Sequence, residues 1–379
     1  MNGLIDAVEL RLCGQDYSVA RIIDQFSKFS YTDVFSGKSS FELEISRNAD
    51  FAGELIPGRI MHMHDLTTEK TRALIIKQVN VSDDTVNIIG NEYAADLFSV
   101  RICLYGTQTG TGYDTQTGDV ETVMRHYINA NILESSDDAR HDPIMQLESV
   151  NSERGETIIV SARFETLLDV LSSCVSAGGG SVGWEAVVVA ADDETCGWYL
   201  RWQIVETTDR TQTQTDTNPV VLSEEFGTAK ISDYCDTLPE TNIVIVGSQG
   251  EGALRTQTQI GLSTLTGIMR RESFLDARDT NDAAEIAQRG NERIVDALTT
   301  SIEFEYLDNY QCRYGIDFEL GDTVTVDAGA YGTYDLPVCS VTTTWGSDTK
   351  EISLTVGAQM HDIVKLINDV YRQTPDRRR

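Results

Sequence analysis

The stretch 267–326 constrains the fold more than any other part of the chain, because three patterns follow one another there without a gap. Residues 272–278 alternate between charged or aromatic side chains and small or apolar ones, which predicts a short strand with a charged side. Asp279 suits the N-cap of a following helix. The stripe on which this helix is predicted to pack contains Ala283, Ala287, Gly290, Ile294 and Leu298. Alternation at 302–306 and a Gly-Asp turn before 323–326 predict further strands, so the chain passes here from an α/β region into a small all-β unit.

The first part of the chain, 1–105, is predicted to form one β-rich domain. Its runs are either alternating or apolar and β-branched, as half-buried and buried strands are. Its strands are predicted at 8–12, 41–45, 73–81 and 86–90. An aromatic-bearing segment at 31–38 is interpreted as a loop whose rings serve packing rather than recognition.

Glycine, threonine and glutamine dominate from residue 106, which marks the start of an α/β insertion predicted to extend over 106–300. Helices are predicted at 120–133 and 164–175, the second of which ends at a run of glycines. The order β-α-β-β suggests a compact unit, and a division into two subdomains is expected near residue 222. Strands of the insertion are predicted at 157–161, 185–190, 198–205, 226–231 and 242–247.

Residues 301–379 are predicted to form a second β unit. A glycine-rich hairpin at 327–333 precedes strands at 338–345 and 351–356, and a short amphipathic helix is predicted from 363 to 370. The predicted fold class is therefore α+β and rich in strands, with two small β units flanking an α/β insertion.

The chain carries 30 basic and 60 acidic residues, a formal net charge of −30. Such a charge repels nucleic acid and anionic membrane surfaces, so electrostatic attraction to DNA is excluded. The carboxylates either keep exposed loops soluble or form acidic walls past which DNA slides without binding. Seven scattered cysteines without a Cys-x-x-Cys pair, and an N-terminus unlike a signal peptide, predict synthesis in a cytoplasm. No uncharged stretch is long enough to predict a membrane span.

No motif predicts an active site or a cofactor. The string Gly-Gly-Ser-Val-Gly at 179–183 matches the nucleophile elbow of hydrolases, but that motif requires strand, turn and helix, whereas a predicted helix precedes this one and a strand follows it. A strand could present His62 and His64 to a metal, yet zinc takes about four ligands and no matching pair accompanies them. Acidic neighbours such as Glu224 and Glu225 lie in predicted turns, where a chain this acidic places them by chance.

Arginine and carboxylate side chains alternate along residues 270–279, near the start of the stretch 267–326. They form either solvated ion pairs, which contribute little energy, or a contact with another subunit or domain, in which guanidinium groups fix register against carboxylates. Both interpretations stay open from the residues alone. The candidate contact residues are Arg270, Arg271, Glu272, Asp276, Arg278 and Asp279.

Three short motifs carry a resemblance to a known family. Arg-Arg-Glu at 270–272, Asp-Ala-Arg-Asp at 276–279 and Leu-Gly-Asp-x-Val-x-Val at 320–326 resemble, in order and spacing, the tail-tip hub proteins of long-tailed bacteriophages. The agreement in order extends over nearly the whole chain. That family is similar in fold to the central hub of contractile-tail baseplates and to the N-terminal part of siphophage tail-associated proteins.

The resemblance implies a structural, non-enzymatic virion protein at the tail tip, with two barrel-like tube domains at 1–105 and 301–379. It implies a homotrimer, since two similar β units per chain let a threefold ring meet a sixfold tail tube. Its implied partners are a distal tail (tube-adaptor) protein above and spike or fibre proteins below, while DNA passes through the lumen without specific binding. The lumen is expected to be lined by Asp, Glu, Thr and Gln.

Two other functions stay open. Some members of the family carry a cell-wall hydrolase domain near the C-terminus, although little chain follows the second β unit here. A module that binds host carbohydrate would need exposed aromatic rings, for which Trp184, Trp198 and Trp202 are the candidates, although tryptophans more often belong to a core.

Overall fold

The computed structural model describes residues 8–104, 112–135, 137–190, 197–212, 218–236, 241–261, 264–295, 300–306, 312–346 and 349–357. The chain is rich in strands and has few helices, which confirms the predicted β-rich class. The helix predicted at 363–370 and the packing position Leu298 lie outside these residues. Within the described ranges, no helix is long and apolar enough to cross a lipid bilayer.

An antiparallel sheet forms the N-terminal part. Its elements are β1 (Val8–Cys13), β2 (Val19–Ile23), β3 (Lys28–Val34), β4 (Ser40–Ser46), β5 (Ile60–Asp65), β6 (Thr71–Val81), β7 (Thr85–Glu92) and helix α1 (Tyr93–Ser99). The strands pair in the order β2-β1-β5-β6-β7-β4-β3. The alternation predicted at 41–45 is confirmed, since Phe41, Leu43 and Ile45 are buried in one core.

The loop predicted at 31–38 is wrong in its first half, because Tyr31 to Val34 belong to β3. Phe29 and Tyr31 point into the core while Ser30 and Thr32 point away from it, so this run has the period of a strand. The turn begins only at Phe35.

The first part of the insertion packs on the N-terminal sheet. Its elements are β8 (Asp114–Asp119), α2 (Val120–Ile128), β9 (Met145–Leu147), β10 (Thr157–Ala162), α3 (Leu167–Ala177), β11 (Val182–Ala190) and β12 (Trp198–Glu206). A π-helical turn, Asn129–Leu133, extends α2, so the helix predicted at 120–133 is confirmed. Both helices and β11–β12 share one core with Ile60, Ala73 and Phe98 of the N-terminal part.

The strands in the middle of the chain belong to two different sheets. They are β13 (Asp209–Arg210), β14 (Val221–Ser223), β15 (Ala229–Asp236), β16 (Ile243–Gly247), β17 (Gln257–Gly261) and β18 (Glu272–Asp276), followed by α4 (Ala283–Val295). A separate three-stranded sheet has the order β17-β16-β18, with α4 packed on one face. The predicted strand with a charged side and its following helix are thus confirmed. The strand predicted from Phe226 begins at Ala229 instead, because residues 224–227 form a turn beside which the Thr228 hydroxyl accepts a hydrogen bond from the Ser223 amide at 2.9 Å.

The C-terminal strands extend the N-terminal sheet. They are β19 (Thr300–Tyr306), β20 (Thr323–Asp327), β21 (Thr333–Gly346) and β22 (Lys350–Gly357). β21 pairs with β3, so one 14-stranded sheet runs in the order β15-β19-β22-β21-β3-β4-β7-β6-β5-β1-β2, with β20 beside β21 and β13 and β14 beside β20. A second core lies under the C-terminal strands. Among the described residues this path does not return on itself, and the two-barrel architecture stays a prediction.

Candidate functional site

Both ends of the chain contribute to one exposed sheet face, which we call the open face. Register places alternate residues of neighbouring strands on the same side of a sheet, and the partners Glu42, Ser30, Thr344 and Glu351 form such a row across β4, β3, β21 and β22. The side chains of the open face are Lys28, Ser30, Thr32, Glu42, Glu44, Asn87, Ile89, Lys230, Asp233, Glu303, Glu305, Thr342, Thr344, Glu351, Ser353 and Thr355. The opposite side of the same strands faces the two cores.

The chemistry of the open face is hydroxyl and carboxylate. Its basic residues are Lys28 and Lys230, and the Lys230 ammonium lies 3.2 Å from Glu305. The remaining carboxylates belong to β4, β15, β19 and β22. Because acidic groups outnumber basic ones, the face carries negative charge and repels a polyanion.

The N-terminal and C-terminal parts of the chain meet within the open face, where β3 pairs with β21. The hydroxyl groups of Ser30 and Thr344 lie 2.9 Å apart across the β3–β21 pair, and those of Thr32 and Thr342 lie at the same distance. Cross-strand hydroxyl pairs each contribute a fraction of a kcal/mol, on the order of 0.2–1. The boundary between the two ends is therefore a regular part of the sheet.

Phe35 joins three parts of the chain behind this boundary. A Cβ at Gly183 of β11 would lie 2.4 Å from the Phe35 ring, and a Cβ at Gly321 would lie at the same distance. Gly321 also has a φ of +95°, which glycine adopts at least cost. The Ser36 hydroxyl accepts a hydrogen bond from the Trp184 amide at 2.9 Å. The glycine of the Leu-Gly-Asp motif thus leaves room for an aromatic ring of the N-terminal part.

A buried ion cluster, the junction cluster, lies next to Phe35 and consists of Asp33, Arg72, Glu92 and Glu185. The Arg72 guanidinium donates to Glu185 Oε2 at 2.7 Å and to the Ala186 carbonyl at 3.0 Å, and it lies 3.6 Å from Asp33. Although burial opposes ionisation, Arg72 and Lys70 hold the pKa of Glu185 at about 2. Burial raises the pKa of Glu92 to about 7, with Arg72 acting against it. The cluster ties β6 of the N-terminal part to β11 of the insertion.

The candidate contact residues lie along β18, an edge strand of the three-stranded sheet. We call these residues, 270–272, 276, 278 and 279, the contact segment. Arg270 binds Glu272 at 2.6 Å and also donates to Gln259 at 2.9 Å. Asp276 accepts a hydrogen bond from Arg255 and forms an ion pair with Arg278 at 3.0 Å. The segment therefore holds ion pairs within the chain, and its role in a contact between subunits stays a prediction.

Two members of the segment take other roles. Asp279 binds Arg289 of α4 at 2.6 Å and so links the strand to the helix behind it. The Arg271 amide donates to the Asn242 side chain at 3.0 Å, which fixes the start of β16 beside β18.

Apolar side chains are exposed around the same segment. Phe274 of β18 is 59% exposed, Ile268 79% and Leu254 87%, while the Arg255 guanidinium lies 5.3 Å from the centre of the Phe274 ring. Opposite faces of β18 differ as predicted, since Leu275 packs against α4. The exposed side of this small sheet thus presents an aromatic ring and arginines beside the carboxylates Glu272 and Asp276, whereas the residues that define the open face include no arginine.

The remaining sequence candidates take structural roles. Trp184 and Trp198 are each 4% exposed and Trp202 is fully buried, so the rings proposed for carbohydrate belong to a core instead. Burial lowers the pKa of His62 to about 4, and its ring packs at 4.4 Å on Trp198, while His64 hydrogen-bonds the Thr71 hydroxyl at 2.9 Å. No group of three His, Cys, Asp or Glu side chains in the described part of the chain is arranged to hold a metal.

The glycine string at 179–183 has the predicted order of helix, turn and strand. Helix α3 ends at Ala177, Gly179 and Gly180 have positive φ, and β11 begins at Val182. Ser181 donates its hydroxyl proton to the Gly178 carbonyl at 3.1 Å. These residues terminate a helix, which accounts for them without catalysis.

Three solved structures share this fold over nearly their whole length. The 43 kDa tail protein of prophage MuSo2 from Shewanella oneidensis has a TM-score of 0.56 at 12% identity, covering 92% of this chain and 97% of that one. The tail protein from Neisseria meningitidis MC58 has a TM-score of 0.55 at 14% identity, with 93% and 96% covered. The prophage tail protein gp18 from Listeria monocytogenes EGD-e has a TM-score of 0.52 at 11% identity, with 96% and 98% covered.

The fold is therefore that of phage tail proteins. The family model described as Siphovirus ReqiPepy6 Gp37-like protein matches residues 9–358, and the chain belongs to that family. The predicted resemblance to bacteriophage tail proteins is thereby confirmed. No curated protein matches the chain.

Proposed function

We propose that this protein is a structural component of the virion tail tip: a trimeric hub that joins the tail tube to a distal spike or fibre and lines part of the DNA channel. The observation that carries the proposal is the open face, a polar and net-acidic surface to which both ends of the chain contribute. A channel wall of this kind lets DNA pass without adhering, because phosphates meet carboxylates and hydroxyls rather than arginines.

The presence of two β units in each chain supports the same assembly. Each chain supplies one β unit from its N-terminal part and one from its C-terminal part, joined through the β3–β21 pair. Three such chains present two units each toward a sixfold tube, which a threefold ring with one unit per chain does not. In this assembly the insertion lies outside the ring, the tube-adaptor protein binds above, and spike or fibre proteins bind below.

Two measurements test the proposal. Native mass spectrometry of the purified chain is expected to give three copies, and threefold-averaged electron microscopy of tail tips is expected to place the open face on the axis. A chain that stays monomeric and lies off the tail axis contradicts the hub role. Clearing of a zymogram of host cell wall by the wild-type chain contradicts the purely structural role.

A further inference from the structure

A cavity of about 310 Å³ lies behind the open face, where three parts of the chain meet. The N-terminal part contributes Tyr31 and Glu92, the insertion contributes Trp184, and the C-terminal part contributes Tyr314 and Trp345. The volume is at the lower end of the roughly 300–1,000 Å³ that is usual for small-molecule sites. The cavity therefore suits a small ligand.

The wall of the cavity carries an excess of carboxylate. Its basic side chains, Lys70 and Arg72, both bind Glu185, at 3.1 and 2.7 Å. Further carboxyl groups, among them Asp33 and Glu319, line the same space. An occupant with positive charge is favoured there over a neutral or anionic one.

Glu92 shows where such a ligand would bind. The residue is 4% exposed, and its Oε2 accepts a hydrogen bond from the Tyr31 hydroxyl at 3.2 Å. Its Oε1 is buried and has no hydrogen-bond partner among the described residues. Burying a carboxylate oxygen without a hydrogen-bond donor costs free energy, so a donor group on a ligand would stabilise this atom.

We propose that the cavity binds a small primary ammonium ion, of the size of a short alkyl amine, with its N–H groups donating to Glu92 and its charge lying against the surrounding aromatic rings. An ammonium group carries donors and no acceptor, which matches a carboxylate oxygen. Aromatic rings attract cations through their quadrupole, most strongly where water is excluded. A ligand at this place contacts all three parts of the chain and stabilises their packing by mass action.

Calorimetry on the full chain at pH 8 tests the proposal, with n-butylamine as the probe and n-butanol as the neutral control. The amine carries a positive charge at this pH, as a lysine side chain does. We expect one amine bound per chain and an alcohol that binds at least tenfold more weakly. Equal binding of the two probes, or no amine binding at millimolar concentration, overturns the proposal.

The variant Glu92→Gln removes the charge and keeps the shape. Because a hydrogen bond to a charged group contributes about tenfold or more in affinity, we expect at least a tenfold loss of amine binding. Glu42→Gln, on the open face, is the matched control and is expected to bind as wild type does. A Glu92→Gln variant that is folded by circular dichroism and binds the amine unchanged also overturns the proposal.

The pH dependence provides a test that needs no change at Glu92. The charged and titratable groups that line the cavity with it are Tyr31, Asp33, Asp65, Glu69, Lys70, Arg72, Glu185, Tyr314 and Glu319. Burial raises the pKa of Glu92 to about 7, and the cation binds the ionised form, so affinity is expected to rise about tenfold from pH 6 to pH 8. Tyr31→Phe removes a hydrogen bond that lowers this pKa and should move the rise to higher pH. Affinity independent of pH in wild type, or a rise that Tyr31→Phe does not move, contradicts the assignment.

Discussion

The junction cluster and the contact segment both combine arginine with carboxylate side chains, but they differ in burial. In the junction cluster the Arg72 and Glu185 side chains are 7% and 10% exposed, whereas in the contact segment those of Glu272 and Arg278 are 48% and 71% exposed. Removing one member of a buried pair leaves an uncompensated charge, while exposed pairs are screened by water and salt. The same chemistry therefore fixes the internal structure in one place and leaves a surface available for a partner in the other.

The two sheets that carry these clusters also differ in the chemistry of their exposed faces. The open face has hydroxyl and carboxylate groups over strands from both ends of the chain, and its exposed apolar side chain is Ile89, 36% exposed. The exposed side of the three-stranded sheet presents Phe274 beneath Arg255. Aromatic and arginine side chains are enriched where proteins bind one another. The small sheet is thus the better candidate for a protein contact.

The largest expected effect concerns the junction cluster. Glu185→Gln removes the nearer carboxylate of buried Arg72, at 2.7 Å, leaves the more distant Asp33 at 3.6 Å to pair with it, and should lower the free energy of unfolding by about 3 kcal/mol. Glu272→Gln in the contact segment is the matched control and should change it by less than about 0.5 kcal/mol. Urea titrations of both variants measure the difference. Equal destabilisation by the two substitutions would show that burial makes no difference to what these two ion pairs contribute.

The pH dependence of stability distinguishes two carboxyl groups of the junction cluster. The pKa of Glu92 is raised to about 7, so the folded state binds a proton that the unfolded state has lost, and this contribution to stability disappears as pH rises from about 4.5 through 7. The pKa of Glu185 is lowered to about 2, so its contribution persists above pH 4.5 and is lost as pH falls toward 2.

Urea titrations between pH 5 and pH 8, in an amine-free phosphate buffer, test the first of these signs. Relative to wild type, Glu92→Gln should gain about 2 kcal/mol of stability over this range, because the variant carries no charge to bury. The Glu42→Gln control should follow the wild-type curve. A Glu92→Gln variant whose difference from wild type is constant with pH would show that Glu92 is ionised throughout.

The contact segment should affect assembly rather than folding. Arg270→Glu reverses a partly exposed charge and is expected to change the free energy of unfolding by no more than about 0.5 kcal/mol. If the segment binds a neighbouring subunit, sedimentation should show loss of the trimer in this variant. Arg47→Glu, which also changes an exposed arginine, is the control. A variant that sediments as wild type does removes the segment from the interface.

Local features of the fold could be predicted from the sequence, because they depend on neighbours along the chain. Alternation identified β4 and β18, and the small-residue stripe identified α4. Alternation decides which side chains share a face, but it does not decide which strand lies beside which. The β3–β21 pair joins residues about 310 positions apart, as between Thr32 and Thr342, and no local pattern encodes it.

The candidate sites follow the same division. The contact segment was found because its charges alternate within ten residues. The junction cluster was missed, since Arg72 and Glu185 are 113 residues apart and each stands in an ordinary strand pattern. A buried charge within an apolar run, such as Arg72 between β-branched and aliphatic neighbours, is the signal that could have indicated it.

The smallest expected effect on folding, and a direct test of the proposed channel, concerns the open face. Glu303→Lys combined with Glu305→Lys exchanges two exposed carboxylates for ammonium groups and should alter the free energy of unfolding by no more than about 0.5 kcal/mol. In phage carrying this variant, DNA release should become slower at low salt and recover as salt rises, because phosphates then bind the wall through contacts that salt screens. The control is Glu153→Lys with Glu156→Lys, an equal charge change in an exposed loop before β10. If both variants release DNA at the wild-type rate, the open face does not line the DNA path. Its acidic and polar side chains then serve only to keep the protein soluble.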